Sequence, residues 1–244
     1  MKPLHLAIQR LLRAIPQDGT FDQLAPVRRL IKQYGPSHSA YSFDLSAATD
    51  RLPVTIQAGL LVYFLGFSLA KAWRWLLVGR EYQLPSPKHY GHAVPAKKRL
   101  ALPGPRERAI KYAVGQPMGA LSSWVMLALT HHFIVQLAAF RVRQLEEWYE
   151  GYAVLGDDLV IMDQDVADEY LRLMDGVLGV KINLSKSLIS ERYTTLEFAK
   201  KYFHKGVDCS PVSFKELNEA RQNISVWSEF GRRFGLSKAT LLNL

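Results

Sequence analysis

At 244 residues, 48% apolar and 22% charged, the chain can bury a sizeable core as one domain or one domain with an appendage, which excludes overall disorder. Its 31 Lys and Arg against 22 Asp and Glu, with a pI of about 9.6, imply an anionic partner, either nucleic acid or a membrane surface. The lone Cys209 excludes an internal disulfide framework and is expected to be a small buried hydrophobe in a reducing compartment.

From the N-terminus, Leu4, Ala7, Ile8, Leu11, Leu12 and Ile15 recur at helical spacing, with Arg10 and Arg13 and no acid before Asp18. This reads as an internal helix or as a mitochondrial presequence, and the absence of serine before Ser37 favours the internal helix. A short apolar strand from Tyr41 delivers Asp44 near its end, and Asp50 follows just before Pro53. Asp50 serves equally as an N-cap of the helix that Pro53 opens or as a substrate contact.

Residues 58–70 form the longest apolar stretch, too short for a membrane-spanning helix of about 20 residues, and read as a buried helix. The helical pattern runs over 60–78, with Trp73 and Trp75 expected in the core. Five prolines in 85–105, together with Lys88, Lys97, Lys98 and Arg99, predict an exposed loop. With Arg106, Arg108 and Lys111 it either faces nucleic-acid phosphates or is a solvated basic face.

In 115–123, Gly119 lets the backbone be approached closely, and Ser122 and Ser123 supply hydroxyls beside it. A glycine turn capped by serine before a core helix explains the same residues. His131 and His132 lie on that helix and point about 100° apart, which prevents them from sharing a metal, so both are read as structural.

Residues 151–162 place Asp157 and Asp158 at a Gly-Asp turn between two apolar runs, the pattern of a β-hairpin with acids at its tip. A Gly-Asp-Asp tripeptide alone is a weak signal, since both residue types are common in turns. Asp44 strengthens it. If the two segments are neighbours in one sheet, Asp44 and Asp157 reach the same pair of ions. Mg²⁺ suits a few carboxylates, waters and substrate phosphates. Two such ions roughly 3.5–4 Å apart perform in-line phosphoryl transfer. Beyond the hairpin, 163–178 reads as an amphipathic helix, 180–182 as a strand, and 196–203 as a strand entering a Lys205-Gly206 hairpin turn.

The ordered set Asp44 to Asp50, Gly115-Gln116-Pro117-Met118-Gly119-Ala120-Leu121-Ser122-Ser123, Gly156-Asp157-Asp158 and Asn183-Leu184-Ser185-Lys186-Ser187 resembles the palm motifs of viral RNA-dependent RNA polymerases, the mitovirus group above all. Lys2-Pro3-Leu4-His5, residues 15–23 and Thr130-His131-His132 look like mitovirus sequence as well. The resemblance implies an α+β right-hand polymerase palm, a small antiparallel sheet backed by helices, with partial fingers and thumb. It assigns 1–40 and 61–112 to fingers, 41–60 and 113–203 to palm, and 204–244 to a partial thumb. Asp44 and Asp157 would hold two Mg²⁺ or Mn²⁺ ions with Asp158 assisting, and Lys186 would protonate the leaving pyrophosphate. Asp50, Gly119, Ser122 and Ser123 would bind the nucleotide. RNA template, nascent RNA and nucleoside triphosphates are the implied partners, and the mitochondrion the implied location.

Two departures stand out. Leu127 occupies a position where picornavirus-like enzymes have asparagine, which leaves ribose selection to Asp50 and the serines. The basic strand motif that precedes Lys2-Pro3-Leu4-His5 in mitovirus enzymes is missing, and the helical run from Phe214 is short for a thumb. A polymerase and a captured viral remnant that at most binds RNA are therefore both open. A reverse transcriptase fits less well, because such enzymes carry a bulky aromatic near the position of Thr49 and a Tyr-x-Asp-Asp hairpin.

Overall fold

A computed structural model describes residues 1–83, 109–144, 147–211, 214–234 and 236. The proline-rich loop expected over 85–105, with Arg106 and Arg108, lies outside the described residues. The chain divides into two compact units, Met1–Val207 and Asp208–Leu244.

The first unit opens with helices Lys2–Ala14 and Ala25–Tyr34. Strand β1 (Ala40–Asp44), the short helix Ala48–Arg51 and helices Val54–Leu65 and Phe67–Val78 follow. Strands β2 (Tyr82–Gln83) and β3 (Ala109–Ile110) pair with each other. The long helix Ser123–Arg143 leads to β4 (Tyr152–Leu155), β5 (Asp158–Ile161) and helix Gln164–Leu171. Strands β6 (Leu188–Ser190), β7 (Leu196–Phe198) and β8 (Lys201–His204) complete the order needed here.

Four strands make one antiparallel sheet in the order β4-β5-β1-β6. Strand alternation sorts its side chains into two faces. Tyr41, Phe43, Leu159 and Ile161 pack on the long helix through Leu127, Ile134 and Val135, and on the Gln164–Leu171 helix through Val166 and Tyr170. Ala40, Ala153 and Val160 pack instead on Val27 and Leu30 and on the β7–β8 hairpin through Leu196, Phe198 and Phe203. Both faces of the sheet are therefore covered. The Gln164–Leu171 helix starts where Asp163 caps it, its carboxylate accepting from the Val166 N–H at 3.1 Å.

Several local expectations are corrected. The helical pattern over 60–78 breaks at Gly66, whose φ of +79° ends one helix and starts the next. The apolar stretch is only partly buried: Leu61 and Ala70 enter the core, while Tyr63, Phe64, Phe67 and Leu69 are exposed. Trp73 is buried as expected, whereas Trp75 is exposed. Among the described residues one helix, Ser123–Arg143, is long and apolar enough to cross a membrane, and most of it is packed inside this fold. The strand expected over 180–182 reduces to a bridge between Ile182 and Leu45, and β6 takes its place beside β1. The amphipathic helix over 163–178 ends in a wider π-helical turn, Arg172–Val177, that leaves Val177 exposed.

In the second unit, helices Phe214–Gln222 and Ile224–Arg233 pack on each other, and Asn223 caps the latter through its bond from the Ser225 N–H. Cys209 is exposed, against the expectation of a buried hydrophobe.

Candidate active site

In the β1/β5 register Tyr41 opposes Ile161, Phe43 opposes Leu159 and Asp44 opposes Asp158. Directly opposed residues project from the same face of a sheet. Asp44 and Asp158 thus share the face that meets the β7–β8 hairpin. Asp157 precedes Asp158 in the turn and is exposed. All three acids stand at one end of one sheet, although more than a hundred residues separate the segments that carry them.

Asp44 and Asp158 line a cleft of about 570 Å³ with Ser185, Lys186, Glu197 and Lys200. The Lys186 Nζ lies 3.7 Å from Asp44 Oδ2. Lys186 is held there by a turn whose first residue, Asn183, donates its N–H to the Asp44 carbonyl at 3.1 Å. Asp158 is half-buried, and its carboxyl titrates at about 6, raised first by burial and then by the Asp157 charge; Asp44 and Glu197 add to this, while the Ala199 N–H, 3.2 Å from Oδ2, pulls the other way. A carboxylate destabilised by burial and by neighbouring carboxylates is one that a divalent cation would restore to the ionised form. The donors are all oxygens, which suits Mg²⁺ or Mn²⁺. Among the described residues no three His, Cys, Asp or Glu side chains close into a cage by themselves. An open set of this kind suits an ion that keeps waters and takes phosphate oxygens.

The acid-bearing turn is tightly held. Gly156 has φ +60°, and a Cβ there would come within 2.8 Å of the Trp124 indole nitrogen. Its carbonyl accepts from His131 Nδ1 at 2.8 Å, and His131 Nε2 meets the Tyr170 hydroxyl at 2.8 Å. Burial lowers the His131 pKa to about 4, outweighing the Gly156 bond, so the ring is neutral. His132 faces a separate network, Tyr152 OH at 2.8 Å and Asp18 Oδ2 at 3.0 Å. The two histidines do not share a ligand.

The 115–123 loop lies against the residues that follow β1. The Gly115 N–H donates to the Asp50 carbonyl at 3.1 Å and the Gln116 N–H to the Thr49 carbonyl at 3.0 Å. A Cβ on Gly115 would sit 2.3 Å from Asp50 backbone atoms, so only glycine permits this approach. Gln116 is buried and donates to Gln57 Oε1 at 2.6 Å and to the Ser123 carbonyl at 3.0 Å. Asp50 is exposed within the Ala48–Arg51 turn; it does not cap the next helix, whose N-cap is Pro53. Gly119, with φ +83°, has open space around it. Ser122 and Ser123 do not open to the cleft: both are buried, and the Ser122 hydroxyl accepts from Trp73 Nε1 at 2.9 Å. Direct nucleotide contact by both hydroxyls, expected from the sequence, is not the arrangement found.

Sequence reasoning gave His131 no role at the turn, and did not find Tyr170 or Gln116 as holding residues. The available signal was polar side chains, Thr130-His131-His132, in the middle of an apolar helix, since buried polar groups require partners.

A mitovirus RNA-dependent RNA polymerase family model matches residues 1–234. The chain is 44% identical over 199 residues to the RNA-directed RNA polymerase of Cryphonectria parasitica mitovirus 1, covering 81% of this chain and 21% of that protein. It is 39% identical over 238 residues to an uncharacterized mitochondrial protein of Arabidopsis thaliana, covering 96% of this chain and 86% of that one. Among solved structures, the RNA-dependent RNA polymerase of a human picorbirnavirus superposes with a TM-score of 0.55 at 19% identity over 90% of this chain and 41% of that chain. Telomerase from Candida albicans gives 0.57 at 11% identity over 82% and 36%. The likeness to these two is one of fold: a polymerase palm.

Proposed function

The chain belongs to the mitovirus RNA-dependent RNA polymerase family, and we propose that it carries the palm of an RNA-directed RNA polymerase, extending nascent RNA on an RNA template from nucleoside triphosphates. The observation that carries the proposal is the register that sets Asp44 opposite Asp158 with Asp157 beside it on the turn. Asp44 and Asp157 would hold two Mg²⁺ or Mn²⁺ ions, with Asp158 assisting. When bound, such ions supply the charge that activates the attacking hydroxyl and stabilises the leaving oxygen.

Lys186, exposed at the rim of the cleft, gives a proton to the leaving pyrophosphate. Asp50 reads the ribose 2′-hydroxyl. Gly119 lets the loop backbone approach the nucleotide, while Ser122 and Ser123 brace that loop from beneath through Trp73 and Gln116. Residues 1–40 and 61–112 are read as fingers, 41–60 and 113–203 as palm, and 204–244 as part of a thumb. The mitochondrial names of the Arabidopsis relatives support a mitochondrial location.

The chain spans about a fifth of the length of the viral polymerase it matches, and most of the length of the Arabidopsis proteins. The similarity to mitochondrial proteins of Arabidopsis supports a second reading, a captured viral sequence that binds RNA without polymerising. Primer extension with purified protein in Mg²⁺ or Mn²⁺ separates the two. Incorporation that disappears in Asp157→Asn supports the polymerase. Binding that falls steeply with salt, with no incorporation, supports the remnant.

A further inference from the structure

We infer that His131 is a positioning residue for the acid-bearing turn: its imidazole fixes the peptide between Gly156 and Asp157, and thereby the direction in which Asp157 presents its carboxylate. The inference rests on the two-cation reading above. Gly156 and Asp157 form the two-residue loop between β4 and β5, and the Gly156 carbonyl belongs to its central peptide. Gly156 has φ +60°, and Asp157 is not among the residues with positive φ, the pattern of a type II′ turn. The type I′ alternative needs positive φ at both positions, and rotation of that one peptide interconverts the two.

Both turn types match the twist of the flanking strands, so the strands do not choose between them. His131 does. A carbonyl oxygen only accepts, so Nδ1 carries the ring proton and donates to it. Nε2 is then bare and accepts from the Tyr170 hydroxyl. Tyr170 is fully buried and stacked on Phe43, the residue before Asp44. Rotating the turn peptide leaves a buried N–H without an acceptor. The spacing of Asp44 and Asp157 is thus set through Phe43, Tyr170 and His131, as well as through the strand pairing.

The test is Mn²⁺ affinity, read by EPR titration on the whole chain, for His131→Leu, His131→Asn and Tyr170→Phe, with thermal midpoints measured alongside. Leucine removes the donor, and asparagine keeps an N–H within reach of the Gly156 carbonyl. His131→Leu is expected to weaken Mn²⁺ binding by about 10–100-fold, as loss of a group that orients a metal ligand does. His131→Asn should restore most of that loss, and Tyr170→Phe should fall between them. Unchanged affinity in folded His131→Leu overturns the inference. If that variant does not fold, unchanged affinity in Tyr170→Phe overturns it instead. Failure of the two-cation reading looks different: the unsubstituted chain binds no Mn²⁺, or binds it equally after Asp157→Asn, and either result overturns both.

Discussion

Lys186 Nζ and Asp44 Oδ2 stand 3.7 Å apart, with the lysine side chain 69% exposed and the aspartate 30%. An exposed pair of this kind is worth at most about 1 kcal/mol to the fold. Stability therefore does not account for its place at the cleft, and the role proposed for it is proton donation.

Lys186→Ala should leave the urea midpoint nearly unchanged and slow single-nucleotide incorporation by about 10²–10⁴-fold, the usual worth of a general acid. Stopped-flow incorporation and equilibrium unfolding on the same preparation check both halves. A stability loss at constant rate would sink the acid role.

The raised Asp158 pKa makes stability pH-dependent with a defined sign. The folded chain holds a proton up to about 6, whereas the unfolded chain releases it near the ordinary value of 3.8. The contribution of this group is fully present below that lower value and is lost as pH rises through 6. In chelator, Asp158→Asn should gain on the unsubstituted chain as pH rises from 4 to 7. Added Mg²⁺ should narrow the gap at pH 7. Parallel melting curves across that range would contradict the assignment.

Gly115→Ala forces a Cβ into the Asp50 backbone, and neither segment can yield without losing the two hydrogen bonds that join them. A loss of about 1–3 kcal/mol is expected from such overpacking. Gly59→Ala, in the open on helix Val54–Leu65, should instead gain up to about 1 kcal/mol. Denaturant midpoints of the two variants should move in opposite directions.

Asp18 and His132 have side chains 1% exposed and meet at 3.0 Å. Removing one partner leaves the other buried without a mate, so Asp18→Ala should cost about 3 kcal/mol. The Asp18 segment is also bonded to β4, through Gly19 N–H to the Val154 carbonyl and Val154 N–H to the Gln17 carbonyl. Hydrogen exchange of β4 amides should accelerate in that variant, and unchanged exchange would argue against the link.

The acid-bearing hairpin was legible because its signal is local: two apolar runs and a glycine that must take positive φ. Asp44 at a strand end was legible for the same reason, and the resemblance carried by the ordered motifs supplied the α+β class. The turn at Ala199 and Lys200 was not, because both residues adopt positive φ without the glycine or asparagine that usually marks it. Only the next turn, Lys205-Gly206, carried that mark. The burial of Ser122 and Ser123 was invisible because Trp73, which donates its indole N–H to the Ser122 hydroxyl, lies 49 residues away. Asp18 finds His132 across 114 residues, a pairing that no local pattern encodes.

The missing side chain at Gly115 has a mechanical consequence. With backbone laid directly on backbone, nothing compressible separates the loop carrying Gly119 from the segment that leaves Asp44. Displacement of one is transmitted to the other as through a rigid coupling, so on the proposed reading a nucleotide seated on the loop would tug on the strand that carries Asp44.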